Sequence, residues 1–130
     1  PITRGLQCDN GDKGMSYEFE LPMPPSINGY RACVRNRLIT SKRGRDYLIA
    51  VQTAMDELKL SNEMIEKPVM IHLTIHPRTR AKFDVSNYLK AYEDALVKCG
   101  FLEDDHWIEY SGIKKGEVIK GGLLKLRILV

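Results

Sequence analysis

The chain predicts a small α/β or α+β domain, a mixed β-sheet of about four strands with two main helices in the order β-α-β-α-β-β. Three patterns carry this expectation. Tyr17, Phe19 and Leu21 alternate with Glu18 and Glu20, the period of a half-buried strand. Tyr47, Leu48, Val51, Ala54, Met55 and Leu58 recur at helical spacing. Val85, Tyr88, Leu89, Tyr92, Ala95, Leu96 and Cys99 form a second helical stripe.

Taken in order, residues 1–14 hold several Gly, Asp and Asn without sustained periodicity and read as a flexible leader or an expression remnant, with Met15 a candidate natural start and 15–130 one domain. The first strand ends at Pro22, because three prolines in four positions (22–25) cannot continue a ladder. The basic stretch 29–39 reads as a loop or irregular extended segment. Thr40 or Ser41 can cap the first main helix. Residues 69–76 form a strand, with Val69, Ile71, Leu73 and Ile75 on one face and His72 and His76 on the exposed one. The second main helix runs from about 84 to 99, and Gly100 ends it. Residues 107–114 and 122–130 are two further strands joined by a turn.

Composition narrows the class. The 130 residues are 43% hydrophobic and 28% charged, which fits one globular domain and excludes a disordered chain. No apolar run approaches the roughly 18 residues of a membrane span, and no secretory signal shows. Cys8, Cys33 and Cys99 are odd in number and scattered, so a disulfide framework or zinc site is not expected and a reducing cytoplasm is. Cys99 falls on the apolar face of its helix and reads as packing. The net charge is only +3, but the cations cluster. Arg31, Arg35, Arg37, Lys42, Arg43 and Arg45 crowd one stretch, and Arg78, Arg80 and Lys82 another. Either cluster alone is an ordinary solvated surface. Two of them flanking an acidic site point to a phosphate-bearing partner.

The acidic residues are Asp84 at a helix entrance and Asp104–Asp105 past its exit. Alone, Asp84 reads as an N-cap and Asp104–Asp105 as a turn before a strand. Together they have the chemistry of phosphodiester hydrolysis. That reaction needs hard-cation ligands converging from different elements, usually with a lysine that positions water or offsets charge. Lys90, on the same helix away from its apolar stripe, could be that lysine or the i,i+4 partner of Asp94.

Three segments resemble, in order and spacing, the RusA-type Holliday junction resolvases: LPMPPSINGY, TSKRGRDY and FDVSNYLKAYEDALVKCGFLEDDHWI. The likeness runs from about residue 17 to the C-terminus. It implies a mixed α/β homodimer that binds four-way DNA junctions and resolves them by paired nicks, in DNA recombination and repair. It also implies Mg²⁺ or Mn²⁺ as cofactor and a bacterial or phage-infected cytoplasm. Carried over, Asp84 falls on the first metal-binding aspartate, Asn87 and Lys90 on the family's Asn and catalytic Lys, Asp105 on the third aspartate and Asp104 on its acidic neighbour. The basic residues 31–45 and 78–82 are then the backbone-phosphate contacts.

One residue departs from that pattern. Ser86 stands where the family has its second aspartate, and a serine hydroxyl brings no charge to a cation. Ser86 is either an inactivating replacement or a natural divergence, and both predict impaired cleavage. The rival expectations are a non-catalytic DNA- or RNA-binding protein on the same fold, and an interaction module that binds no nucleic acid.

Overall fold

The computed structural model describes residues 3–9 and 12–130, with side chains from Met15 onward. The chain forms two compact parts that interleave in sequence. One holds the chain up to Met23, Glu66–Arg80 and His106–Val130. The other holds Pro24–Ile65 and Ala81–Asp105.

The first part is a sheet. Its strands are β1 (Thr3–Asp9), β2 (Asp12–Pro22), β5 (Val69–His76), β6 (Ile108–Lys115) and β7 (Leu123–Leu129), in the order β1-β2-β7-β5-β6. Only the β5–β6 pair is parallel. Phe19, Leu126 and Leu73 stand opposite one another across three strands, as do Leu21, Leu124 and Ile75. These side chains are 0–1% exposed. Burying each contributes about 1.5–3 kcal/mol, and a one-residue slip would turn every one of them outward. The other face carries the charge-matched pairs Glu18 opposite Arg127 and Glu20 opposite Lys125, with exposed Met70 opposite Leu129 toward one end.

The second part holds α1 (Ile27–Tyr30), β3 (Arg31–Val34), β4 (Arg37–Thr40), α2 (Lys42–Glu57), a 3-10 turn (Val85–Tyr88) and α3 (Lys90–Lys98). Ser41 caps α2, its Oγ accepting from the Gly44 amide at 3.0 Å. Tyr47, Val51 and Met55 bury one face of α2, and Ala91, Tyr92, Ala95 and Leu96 one face of α3. Gly44 is where α1 and α2 meet most closely: a Cβ there would stand 2.6 Å from the Tyr30 carbonyl oxygen. Gly100 follows α3 with φ +88°, as a helix-ending glycine should. Cys99 is buried, its thiol donating to the Leu96 carbonyl.

The expected α+β class, the four strands β2, β5, β6 and β7 and the two main helices α2 and α3 are all present. Several local expectations are corrected. Residues 31–40 are a β-ribbon rather than a loop, closed at Arg35 and Asn36 with φ +52° and +61°, the signs of a type I′ hairpin turn. The last two strands are not neighbours, since β5 lies between β6 and β7. His76 is 7% exposed rather than on an open face. Its Nδ1 lies 2.9 Å from the Glu117 carbonyl, and Gly116 packs on the ring so closely that a Cβ would come within 2.6 Å of it. The proposed leader, 1–14, falls where no side chains are described, although the backbone of Thr3–Asp9 pairs with that of Asp12–Glu18.

The helix expected over 84–99 is broken. Its first turn is the 3-10 segment, Leu89 intervenes, and α3 begins only at Lys90. Burial explains the break: fully buried side chains begin at Ala91, whereas Val85, Tyr88 and Leu89 are half-buried. A first turn with little to bury, holding Ser86 and Asn87, gains little from α geometry.

Candidate functional site

Asp84 occupies the N-cap position of the 3-10 turn, but its carboxylate makes no cap hydrogen bond. Its backbone carbonyl accepts from the Asn87 amide at 3.1 Å. The capping role that residue type suggests is therefore done by the main chain, and the exposed carboxylate is left for other work. Ser86 is exposed as well, and Asn87 is half-buried beside it.

Lys90 is the first residue of α3. Its Nζ lies 3.0 Å from Asp94 Oδ1 and 3.6 Å from Asp105 Oδ2. Lys90 is thus the i,i+4 partner of Asp94, and it also reaches the acidic residue beyond the helix. The hydrogen bond to Asp94 and the charges of Asp94 and Asp105 hold its proton above the ordinary lysine range, against partial burial and the nearby Arg31 guanidinium. A lysine so placed is a cation at neutral pH. It can attract a phosphate or offset carboxylate charge, but it cannot serve there as a base.

One residue of this cluster, Tyr30, was not assigned a role by the sequence. The Tyr30 hydroxyl donates to Asp94 Oδ2 at 2.8 Å, leaving Oδ1 for Lys90. Burial, then that bond to Asp94, pushes the phenol well above its ordinary range, so it stays a neutral donor. Tyr30 closes the INGY segment of α1, inside the proline-rich motif. The motif therefore contained Tyr30, but nothing in its spacing linked it to a residue 64 positions away.

The cations divide. Arg31, Arg35, Arg37, Lys42, Arg43 and Arg45 belong to the same part as Asp84 and Lys90, and all but half-buried Arg31 are exposed. Lys42 pairs with Asp46 at 2.9 Å, and Arg45 donates to the Thr40 carbonyl at 2.8 Å. Arg78 and Arg80 belong to the sheet part and Lys82 to the helical part. Arg78 is engaged with backbone, donating to the carbonyls of Gly121 and Met23 at 3.2 and 3.4 Å.

Among the described residues no three His, Cys, Asp or Glu side chains come together as a group that could hold a metal ion. Asp84 and Asp105 offer the hard oxygen donors that Mg²⁺ or Mn²⁺ prefers. Ser86, between Asp84 and Asn87 in sequence, brings a neutral hydroxyl rather than a further carboxylate.

Residues 22–124 match the family Endodeoxyribonuclease RusA. The chain belongs to the RusA family. It is 35% identical over 113 residues to the crossover junction endodeoxyribonuclease RusA of Escherichia coli O139:H28, covering 87% of this chain and 93% of that protein. The RusA of Shigella sonnei gives the same identity and coverage. The RusA of enterobacteria phage HK97 is 31% identical over 112 residues, covering 86% of this chain and 92% of its own. The RusA match spans both the ribbon and the acidic cluster. No helix among the described residues is long and apolar enough to cross a membrane.

Proposed function

We propose that this chain binds four-way DNA junctions as a homodimer in the bacterial or phage-infected cytoplasm, on a site built for metal-dependent phosphodiester cleavage. The observation that carries this reading is Lys90, held as a cation between Asp94 and Asp105 just beyond an uncapped Asp84. In a RusA-family chain, that is a phosphate-attracting charge set among carboxylates.

The roles follow from the chemistry of each side chain. Asp84 and Asp105 are the oxygen donors toward Mg²⁺ or Mn²⁺, with Asp104 adding negative charge nearby. Lys90 draws the scissile phosphate, and Asn87 orients it. Ser86 leaves the donor set one carboxylate short, so the chain binds junctions better than it cuts them. The exposed cations Arg35, Arg37, Arg43, Arg45, Arg80 and Lys82 hold backbone phosphates, giving affinity that falls with salt and follows junction shape rather than base sequence. The same shortage favours one rival reading, a junction-binding protein without catalysis.

Titrating a four-way junction and a duplex of the same sequence, across a range of salt, tests the proposal. Tighter binding to the junction with a steep salt slope is expected, and removal of Arg43 and Arg45 together should flatten that slope. Equal affinity for both DNAs, or none at low salt, would overturn it.

A further inference from the structure

Beyond its base, the β3–β4 ribbon leaves its side chains exposed. Its two strands of four residues reach out about 13 Å. Cys33 and Leu38 share one face, while Ala32, Ile39 and Val34 share the other with Arg37. Val34, Leu38 and Ile39 are 48%, 64% and 40% exposed, so both faces present aliphatic groups to water. A lone two-stranded ribbon of this kind is marginal without something to bury against. Its turn is also held at a cost: Arg35 sits at φ +52°, where an arginine loses about 1–2 kcal/mol relative to a right-handed conformation.

Charge says what covers it. No acidic residue occurs between Glu20 and Asp46, and Arg31, Arg35 and Arg37 lie on the ribbon with Lys42, Arg43 and Arg45 directly after it. The base of the ribbon is at the candidate site. Arg31 follows Tyr30, whose hydroxyl holds Asp94, and the Arg31 charge is felt at Lys90. Ser41 clamps that base, its amide donating to the Tyr30 carbonyl at 2.9 Å and its Oγ to the Gly29 carbonyl at 2.6 Å. A cationic ribbon with aliphatic groups on both faces matches one kind of surface: phosphates outside and unstacked base faces within.

We infer that the β3–β4 ribbon is a wedge that enters the branch point of a four-way junction, with Val34, Leu38 and Ile39 set against unstacked bases and Arg35 and Arg37 on the flanking phosphates. This rests on the junction-binding reading above and deepens it. Aliphatic wedges of Leu and Ile open base steps in other DNA-binding folds, and the crossover is where stacking is already interrupted and unstacking costs least. The ribbon then supplies a preference for branched over linear DNA that phosphate contacts cannot give.

The test uses the full chain, without divalent metal, and junctions carrying 2-aminopurine either beside the crossover or far out on one arm. Binding should raise the crossover fluorescence severalfold and leave the arm probe unchanged. Replacing Val34, Leu38 and Ile39 together by serine should remove most of that rise. It should also weaken junction binding about tenfold, from the apolar area no longer buried, with duplex binding unchanged. Leu38→Ser alone, at the most exposed of the three positions, should give the same pattern to a smaller degree and guards against misfolding of the triple variant. A parent that binds junctions without a crossover rise, or a serine variant that keeps the full rise, overturns the wedge and leaves the junction-binding reading standing. A serine variant that turns from dimer to monomer by light scattering also overturns it, making the ribbon a subunit contact. A parent that binds no junction at all overturns the function on which the wedge rests.

Discussion

The sheet and the β3–β4 ribbon are both β structure, and they handle apolar side chains in opposite ways. Across β2, β7 and β5 the inward residues are 0–4% exposed and meet one another in register. On the ribbon Val34, Leu38 and Ile39 are 40–64% exposed, on two strands paired with each other. The ribbon leaves its aliphatic groups largely in water.

That difference can be measured, and the largest effect belongs to the sheet. Leu126→Ala should cost about 3 kcal/mol in urea unfolding, because the side chain is fully buried between Phe19 and Leu73. Leu38→Ala should change stability by less than about 0.5 kcal/mol. Comparable losses at both positions would show that the ribbon packs against protein after all.

Gly44→Ala comes next. The added methyl would stand 2.6 Å from the Tyr30 carbonyl, so α1 and the base of the ribbon must shift, at about 2 kcal/mol by thermal unfolding.

Smaller again is the hydrogen bond from Tyr30 to Asp94, whose removal in Tyr30→Phe should cost about 1 kcal/mol. Lys90 adds a pH dependence to the same cluster. Its pKa is raised above 10.5 on folding, first by the Asp94 hydrogen bond, so its stabilising contribution is complete below that value and is lost as pH rises through the raised one. Urea midpoints followed from about pH 8 to pH 11 should fall at the alkaline end, and Asp94→Asn should flatten the fall. The smallest effect is expected for Lys42→Ala. The Lys42–Asp46 pair is exposed on both sides and contributes less than about 0.5 kcal/mol.

The same contrast explains what the sequence made legible. Tyr17, Phe19 and Leu21 announced their strand because one face is buried and the other wet, and that difference is what alternation records. The α2 stripe was legible for the equivalent reason at helical spacing. The ribbon was not, because a strand exposed on both faces has no inside to alternate with, and its Arg35–Asn36 turn lacks the usual glycine. The 3-10 turn was missed where apolar residues Val85, Tyr88 and Leu89 kept helical spacing without full burial. His76 kept the parity of His72 and yet is covered by Gly116, a contact from 40 residues away that periodicity does not see. In the candidate site, the motif supplied Asp84, Asn87, Lys90 and Asp105. Tyr30 and the two-sided use of Asp94 needed the fold, because they join segments far apart in sequence.

If Ser86 leaves a resolvase site one carboxylate short, restoring that carboxylate should restore cleavage. The direct measurement compares the parent with Ser86→Asp on one labelled four-way junction, reading binding without metal and nicking with Mg²⁺ or Mn²⁺. The account predicts similar affinity for both proteins, slow or absent nicking by the parent, and nicking raised by orders of magnitude in Ser86→Asp. Adding Asp84→Asn or Asp105→Asn should abolish that gain. A parent that already nicks junctions at a rate Ser86→Asp does not improve would contradict the account.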